Sequence, residues 1–299
     1  MTHYRLAIVV LAWNHCDYTL ECLDSLLQQH IPHMLYVVDN NSSDNTVEAV
    51  RERYPAAHVI VNNQNDGFAG GNNIGLHKAF SDGANAVLVL NNDARLAPDA
   101  LTPLVDSLHR YPHAGLLNPL ILFAQEPHRV WYAGATLYAL AGWSFHKEYN
   151  APRETIPTYV RSTRRATGCA LIITRDCYER IGVFDESLFM YCEDLEYSLR
   201  AIKAGFSVLL VPESVVYHHV SVSTGEKAPD PVYYSTRNMI VTMDRHLPLP
   251  MGLQTLRRLL IVAGQMYYVA KRPRAFGRIR DIWGGYWDAR RHELGSRHP

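Results

Sequence analysis

The chain opens on an unbroken apolar run, Leu6–Ala12, that ends at polar Asn14. Similar runs recur at residues 34–38, His58–Val61 and residues 86–90. Continuous apolar runs of this length predict strands covered on both faces, as in a parallel sheet sandwiched by helices. Between them the apolar spacing lengthens to that of a helix. Residues 18–29 place Leu20, Leu23 and Leu27 on one side, Thr46–Arg53 continues from the capping turn Asn40-Asn-Ser-Ser-Asp44, and residues 98–110 form a third helix. Residues 67–75, rich in glycine and asparagine, predict a loop leading into a short helix. Strands alternating with helices in this way predict an α/β sheet with right-handed crossovers.

Periodicity weakens across residues 125–165, where Tyr, Trp, Gly and Pro dominate and short strands with a long loop are expected. Regular structure resumes with a strand at 166–174 and a helix reaching Ile181. A helix at 193–204 carries the stripe Leu195, Leu199, Ile202 and ends at Gly205. Two strands follow, 207–211 and 214–218, and from Pro231 onward the pattern is helical.

Composition narrows the function classes. With 299 residues, 47% hydrophobic and 19% charged, the chain can bury a large core without disulfides or a structural metal. Its 29 basic and 29 acidic residues cancel, which gives no bulk attraction to nucleic acid. The cancellation is uneven, however: residues 251–299 hold 10 Lys and Arg against 3 Asp and Glu. That basic segment, with Tyr267, Tyr268, Trp283, Tyr286 and Trp287, is suited to an anionic lipid surface or to capping its own acidic body. The five cysteines lack CxxC spacing, so a zinc site or disulfide framework is not expected and a reducing, cytoplasmic setting fits. The N-terminal run is followed by Asn14-His15 rather than a cleavage site, and residues 259–270 are too short to span a bilayer.

In open α/β sheets ligands bind beyond the carboxyl ends of the strands. The polar residues there are Asn14 after the first strand, Asp39-Asn40 after the second, Asn62 to Asp66 after the third, Asn91-Asn92-Asp93 after the fourth, and His218-His219 later. Asn and Asp are common turn formers, which accounts for any one cluster but poorly for a succession of them. A dinucleotide fold would need GxGxxG where Trp13-Asn-His-Cys16 stands, and no P-loop is present. Asp93 sits where a carboxylate can bind a divalent cation that bridges phosphates. Glu193 and Asp194 open a helix after an aromatic stretch, a setting in which a carboxylate can take a proton from a hydroxyl. Arg161, Arg164, Arg165 and Arg237 are cations available to a diphosphate.

Taken in order, Val38-Asp39-Asn-Asn-Ser-Ser-Asp44, Asn65-Asp-Gly-Phe-Ala-Gly-Gly-Asn-Asn-Ile-Gly75, Leu90-Asn-Asn-Asp93, Thr167-Gly-Cys-Ala-Leu171, Gly182-Val-Phe-Asp-Glu186 and Glu193-Asp-Leu-Glu-Tyr-Ser-Leu-Arg200 resemble the family 2 glycosyltransferases of the GT-A fold, in particular their rhamnosyltransferase-like bacterial branch. The resemblance covers roughly residues 5–240. It implies a GT-A catalytic domain over residues 1–228, with a mostly parallel sheet, and a basic helical extension over 229–299. It also implies metal-dependent, inverting transfer of one sugar from a nucleoside diphosphate, a UDP- or dTDP-sugar, to a glycan or lipid-linked acceptor in cell-surface polysaccharide or glycolipid synthesis.

By position, Asp194 is then the catalytic base beside Glu193. Asp93 and His218 hold Mg2+ or Mn2+. Asn14, Asp39, Asn40, Ser42, Asn65, Phe68, Asn72, Asn73, Asn92 and Arg237 seat the nucleotide. Where the family triplet often begins with Asp this chain has Asn91, so a single carboxylate serves the metal. Gln254-Thr-Leu-Arg-Arg258 lacks the tryptophan of the processive synthases, which implies single-sugar transfer. Peripheral contact with the inner face of the plasma membrane and a homodimer are the remaining partner expectations. The competing readings are a catalytically silent nucleotide-sugar-binding protein of this fold and a sugar nucleotidyltransferase. The latter would need a basic glycine-rich loop after the first strand.

Overall fold

A computed structural model describes residues 4–220, 231–271 and 278–297. The expected boundary between 228 and 229, and the Ser221 to Gly225 stretch, lie outside the described residues. In chain order the elements begin β1 (Leu6–Ala12), α1 (Cys16–Leu26), β2 (His33–Asp39), α2 (Thr46–Arg53), β3 (His58–Val61), α3 (Gly67–Ser81), β4 (Ala86–Asn91), β5 (Ala94–Leu96), α4 (Leu101–Arg110) and β6 (Ala114–Phe123). Short strands β7 (Val130–Tyr132), β8 (Ala135–Tyr138), β9 (Trp143–His146) and β10 (Arg161–Ser162) precede β11 (Ala170–Thr174), α5 (Arg175–Ile181), α6 (Glu193–Lys203) and β12 (Ser207–His218). The helices α7 (Pro231–His246), α8 (Met251–Ala270) and α9 (Ile279–Arg291) follow.

The main sheet runs β10-β12-β6-β11-β4-β1-β2-β3, with β5 on β12 and β7 on β6. Strands β1 to β4 are mutually parallel and β6 is parallel to β12, while β11 enters antiparallel between β4 and β6. The apolar runs are continuous because alternate residues enter different cores. Leu6, Ile8 and Val10 pack with Leu23 of α1, Val50 of α2 and Leu104 of α4. Ala7 and Val9 pack with Leu76 of α3 and with Tyr197 and Ala201 of α6. Fully burying each Val, Leu or Ile contributes about 1.5–3 kcal/mol, so both faces of β1 anchor the sheet. A third core joins Leu188 and Leu195 to α7, α8 and α9.

Several expectations are corrected. Residues 67–75 are helical from Gly67 onward rather than a loop. Glycine here serves close packing: a Cβ on Gly75 would stand 2.3 Å from Val9 Cγ1, and one on Gly71 2.5 Å from Leu11 Cδ1, so α3 lies directly on β1. The two strands expected at 207–218 are one, β12, with a register shift between Val211 and Val215. Pro212 lacks an N–H, which disturbs the ladder without ending the strand. Helix α4 starts at Leu101 rather than Pro98, and α1 spans Cys16–Leu26. Residues 125–165 carry the β8–β9 hairpin and further short strands.

Candidate active site

The ends of β1, β2 and β4 and the start of β11 converge on one edge of the sheet. Register carries Ala12 opposite Asp39 and Leu90 opposite Ala170, and the Asn91 N–H donates to the Cys169 carbonyl at 2.9 Å. A cavity of about 100 Å³ opens there, lined among others by Trp13, Asn40, Asn65, Phe68, Asn92 and Asp93. The hollow beside Ile60, His77 and Tyr178 is larger but shallow, and it contains none of the expected catalytic residues.

The asparagines bond first to one another. Asn40 is buried, and its Nδ2 donates to Asn65 Oδ1 (2.9 Å) and to the Gly67 carbonyl (3.0 Å). Its Oδ1 accepts from Asn62 and from the Asp66 N–H. The Asn14 N–H donates to Ser42 Oγ, and Asn14 Oδ1 accepts from the Ser43 N–H. Asn92 Nδ2 donates to Thr19 Oγ1 and to the Asn14 carbonyl. These clusters therefore build the rim by cross-linking the strand ends, which is turn chemistry put to use in a site. Asp39 differs. Its Oδ2 accepts the Ser42 N–H, while its buried Oδ1 has no hydrogen-bond partner among the described residues, as expected of a group that awaits a donor from a ligand.

Asp93 and His218 are both buried, and Nε2 of the histidine lies 3.3 Å from Asp93 Oδ1. The antiparallel pairing of β5 with β12 sets this contact, with Ala94 opposite His218 and the His219 N–H donating to the Asp93 carbonyl. Burial disfavours a charged His218 ring, yet Cys169 and Asp93 beside it outweigh that and push its pKa up to about 10. A divalent ion bound there would have to displace the proton that these neighbours hold on the ring, because a metal ligates the neutral imidazole. A carboxylate oxygen with an imidazole nitrogen suits Mn2+, and Mg2+ less well. Among the described residues no cluster of three or more His, Cys, Asp or Glu side chains is arranged to hold an ion alone. Two donors alone would leave the remaining positions of a divalent ion to other ligands.

Asp194 reaches the same wall from α6. Its Oδ1 accepts from Arg165 (Nε 3.1 Å, Nη2 2.8 Å) and from the Leu195 N–H, while among the described residues Oδ2 accepts only the long 3.3 Å bond from the Gly168 N–H. Gly168 adjoins Cys169, and a Cβ on it would stand 2.6 Å from the Phe68 ring that lines the cavity. One peptide step therefore separates the partner of Asp194 from the neighbour of His218. Of the four residues that immediately precede α6, three non-glycine residues hold positive φ: Phe189 (66°), Tyr191 (65°) and Cys192 (68°). Such conformations cost about 1–3 kcal/mol each and persist where packing enforces them, commonly at ligand sites. Asn238 provides that enforcement, with Nδ2 donating to the carbonyls of Leu188, Met190 and Tyr191.

Glu193 is buried beside Asp194, and its Oε2 finds no hydrogen-bond partner among the described residues. Burial, then repulsion from Asp194, pushes its pKa from 4.5 up to about 8. The folded state therefore keeps a proton that the unfolded chain releases, and stability falls as pH rises from 4.5 to 8. The slope approaches about 1 kcal/mol per pH unit. Glu193→Gln is expected to flatten this dependence, read as the denaturant midpoint at pH 5 and 8. A variant that keeps the wild-type slope would remove Glu193 as its origin.

Not every expected residue reaches the cavity. Asn73 ties α3 to the 184–186 turn: its Nδ2 donates to the Phe184 carbonyl and Glu186, and its Oδ1 accepts from the Phe184 N–H. Asn72 Nδ2 donates to the Phe68 carbonyl one turn back. Arg237 is only 1% exposed and, instead of meeting a diphosphate, donates to Asn238 and to the carbonyls of Leu188 and Gly295 while packing on Tyr233 and Tyr234. Arg237→Ala is expected to cost about 2–4 kcal/mol, because buried carbonyls lose their donor and a void is left. Chemical denaturation measures the loss, and nucleotide affinity of the folded fraction is expected to stay within about twofold.

Residues that the sequence did not single out also stand here. His15, Phe189 and Met190 line the cavity. Trp131 sets its ring 4.4 Å from that of His218, and His146 binds the Trp131 carbonyl at 3.0 Å. Burial, aided by Arg165, lowers the His146 pKa to about 4, so its ring is neutral near pH 7. The aromatic stretch before Glu193 signalled Phe189 and Met190, but nothing periodic marked Trp131 or His146.

Known proteins share this fold. The structure of GalNAc-T7 with UDP, GalNAc and Mn2+ superposes with a TM-score of 0.65 at 15% identity over 91% of this chain, which spans 58% of that one. The mannosyltransferase PcManGT from Pyrobaculum calidifontis, in complex with GDP-Man and Mn2+, gives 0.61 at 16% identity, with 97% and 88% of the two chains covered. The N-acetylglucosaminyl-diphospho-decaprenol L-rhamnosyltransferase of Mycobacterium tuberculosis is 28% identical over 81% of this chain and 85% of its own. The dTDP-rhamnosyl transferase RfbF of Shigella flexneri is 22% identical over 89% and 93%. The sheet order and flanking helices are those of the GT-A fold. The sequence model of Glycosyl transferase family 2 matches residues 7–180, more than half of the chain, and with the site just described this places the protein in glycosyltransferase family 2.

Proposed function

We propose that this enzyme moves a single hexosyl or rhamnosyl unit from a nucleoside-diphosphate sugar to an acceptor hydroxyl, with inversion at the anomeric carbon. The observation that carries this reading is the shared wall: Asp194 binds the Gly168 N–H, and the next residue, Cys169, flanks the Asp93–His218 pair. Asp194 Oδ1 is committed to Arg165 and Leu195, which leaves Oδ2 with a lone pair for the acceptor. The hydroxyl proton passes to Oδ2 as the oxygen bonds to the anomeric carbon. The bond from that carbon to the phosphate oxygen breaks, and the nucleoside diphosphate leaves with the electron pair. The sugar passes through an oxocarbenium-like state, and attack from the opposite face inverts the centre. Asp93 and His218 would hold a divalent ion, which when bound stabilises the charge on the departing diphosphate.

Asp39, with its unmatched Oδ1, takes a donor N–H or hydroxyl of the nucleoside, and Asn14, Asn40, Ser42, Asn65 and Asn92 shape the rim around it. Phe68 lies against the cavity. The name of RfbF supports a dTDP-sugar donor and that of the Mycobacterium tuberculosis relative a lipid-linked acceptor, in cell-surface glycan synthesis; a UDP-sugar is the other donor expected. The test is a thermal-shift screen of nucleotide sugars with Mn2+, followed by NMR of the product from the best donor. Transfer with inverted anomeric configuration is expected. Retained configuration would overturn the single-displacement mechanism, and binding without transfer or hydrolysis would favour the catalytically silent reading.

A further inference from the structure

The outer face of α8 is apolar along its length. Met251 (85% exposed), Leu253, Leu256, Leu259 and Tyr267 all stand in solvent, while Arg257, Ile261, Val262 and Val269 face inward. The charged residues of this helix, Arg257 and Arg258, both pair with Asp244 of α7, so the outer face carries no charge. A helix of 20 residues is roughly 30 Å long, and an apolar strip of that size left in water signals a docking surface. No described helix is long and apolar enough to cross a membrane.

The β8–β9 hairpin connects the inward side of this helix to the catalytic wall. Its turn rests on α8, with the Arg257 guanidinium donating to the Ala139 carbonyl, Trp143 Nε1 donating to the Leu260 carbonyl at 3.1 Å, and Gly142 seated against Ile261. Leu140, at the turn, is 72% exposed. The other end of the hairpin is His146, bonded to Trp131, whose ring meets His218. From Trp143 to His146 the strand advances roughly 10 Å. On α9, Arg280, Trp283, Trp287 and Arg290 recur at helical spacing, and all are exposed. No carboxylate among the described residues pairs with Arg280, Arg290 or Arg291. Arginines without a carboxylate partner, one of them set over the Trp287 ring, suit the phosphate and glycerol layer of an anionic bilayer. Across a two-fold interface with a second copy, like arginines would repel instead.

We propose that α8, the hairpin turn and the Trp–Arg stripe of α9 form an interfacial docking surface for an anionic phospholipid membrane, which holds the catalytic cavity near headgroup height over a lipid-linked acceptor. The acceptor part rests on the glycosyl-transfer reading above. Binding to the membrane is measured without donor or acceptor, so the two can fail separately. The intact chain is floated with vesicles of phosphatidylglycerol and phosphatidylcholine in equal parts, at low and high salt, with pure phosphatidylcholine as control.

Strong binding to the anionic vesicles that weakens with salt is expected. Leu256→Asp with Leu259→Asp is expected to weaken it at least about tenfold, and Arg280→Gln, Arg290→Gln and Arg291→Gln about fivefold for each cation removed. Both sets are exposed, so melting temperature and transfer to a water-soluble acceptor are expected to stay at wild-type values. Loss of melting temperature would identify a variant as misfolded; Leu253→Asp alone then repeats the measurement. The proposal is overturned if the wild type ignores anionic vesicles, if either set of variants binds as tightly as the wild type, or if the chain is a dimer that Leu256→Asp dissociates.

Discussion

Asp194→Asn is expected to reduce sugar transfer by about 10²–10⁴-fold, the range that a positioned general base supplies. The amide keeps the size of the carboxylate and can still accept from Arg165 or Gly168, so α6 is expected to stay in place. What it loses is the lone pair of Oδ2 that the proposed mechanism assigns to the acceptor proton. The measurement pairs initial rates with calorimetric titration of the nucleoside diphosphate: kcat is expected to collapse while nucleotide Kd changes by less than about threefold. A variant that transfers at near wild-type rate would end the assignment of Asp194 as base. Arg165 sharpens the contrast. Its guanidinium fixes Oδ1 through two contacts, so the carboxylate is oriented before any acceptor arrives.

Asp93→Asn is expected to abolish the gain in nucleotide affinity produced by Mn2+, a loss of about a hundredfold, as befits several kcal/mol of charge stabilisation at a diphosphate. Asn retains the shape of the buried contact with His218 but not the negative charge that draws a cation there. Titration of the nucleoside diphosphate with and without Mn2+ reads the effect directly. His218→Ala is expected to act in the same direction and more weakly, since the carboxylate remains. If the wild type binds nucleotide equally well with Mn2+ and after chelation, the metal assignment is wrong. The two substitutions separate cleanly, because Asp194→Asn acts on rate and Asp93→Asn on metal-dependent binding.

Much of the fold was legible in the residues, for a physical reason. A strand buried on both faces must be apolar at every position, and β1, β2 and β4 announce themselves that way. Helix α6 was marked by its stripe and by the Gly205 stop. The misreading of α3 has an equally physical cause. Its glycines suggest a flexible loop when judged by propensity, but they are needed because a helix pressed against β1 has no room for Cβ atoms at Gly71 and Gly75. The signal for helix lay in tertiary contact, which local preference does not contain.

The site divides in the same way. Polar residues after each apolar run located the rim, but which side chains would be tied up inside the protein and which would keep an unmatched acceptor depended on the geometry of the strand ends. Asn40 and Asn73 illustrate the first outcome, and Asp39, whose Oδ1 has no hydrogen-bond partner among the described residues, the second. Arg237 shows the limit of reading charge alone: a cation counted as available to phosphate is enclosed by carbonyls and tyrosine rings.

By itself the sequence determined that alternating strands and helices form an α/β sheet, that the chemistry lies at the strand ends, and that carboxylates at 93 and 194 are its candidates. It could do so because burial and turn formation act on neighbouring residues and leave local patterns. Only the tertiary structure decided that β11 runs antiparallel, carrying Gly168 and Cys169 between Asp194 and the Asp93–His218 pair, and that Trp131 and His146 stand beside them. Those contacts join residues far apart along the chain, and their energy depends on sheet order and register, which no local pattern encodes.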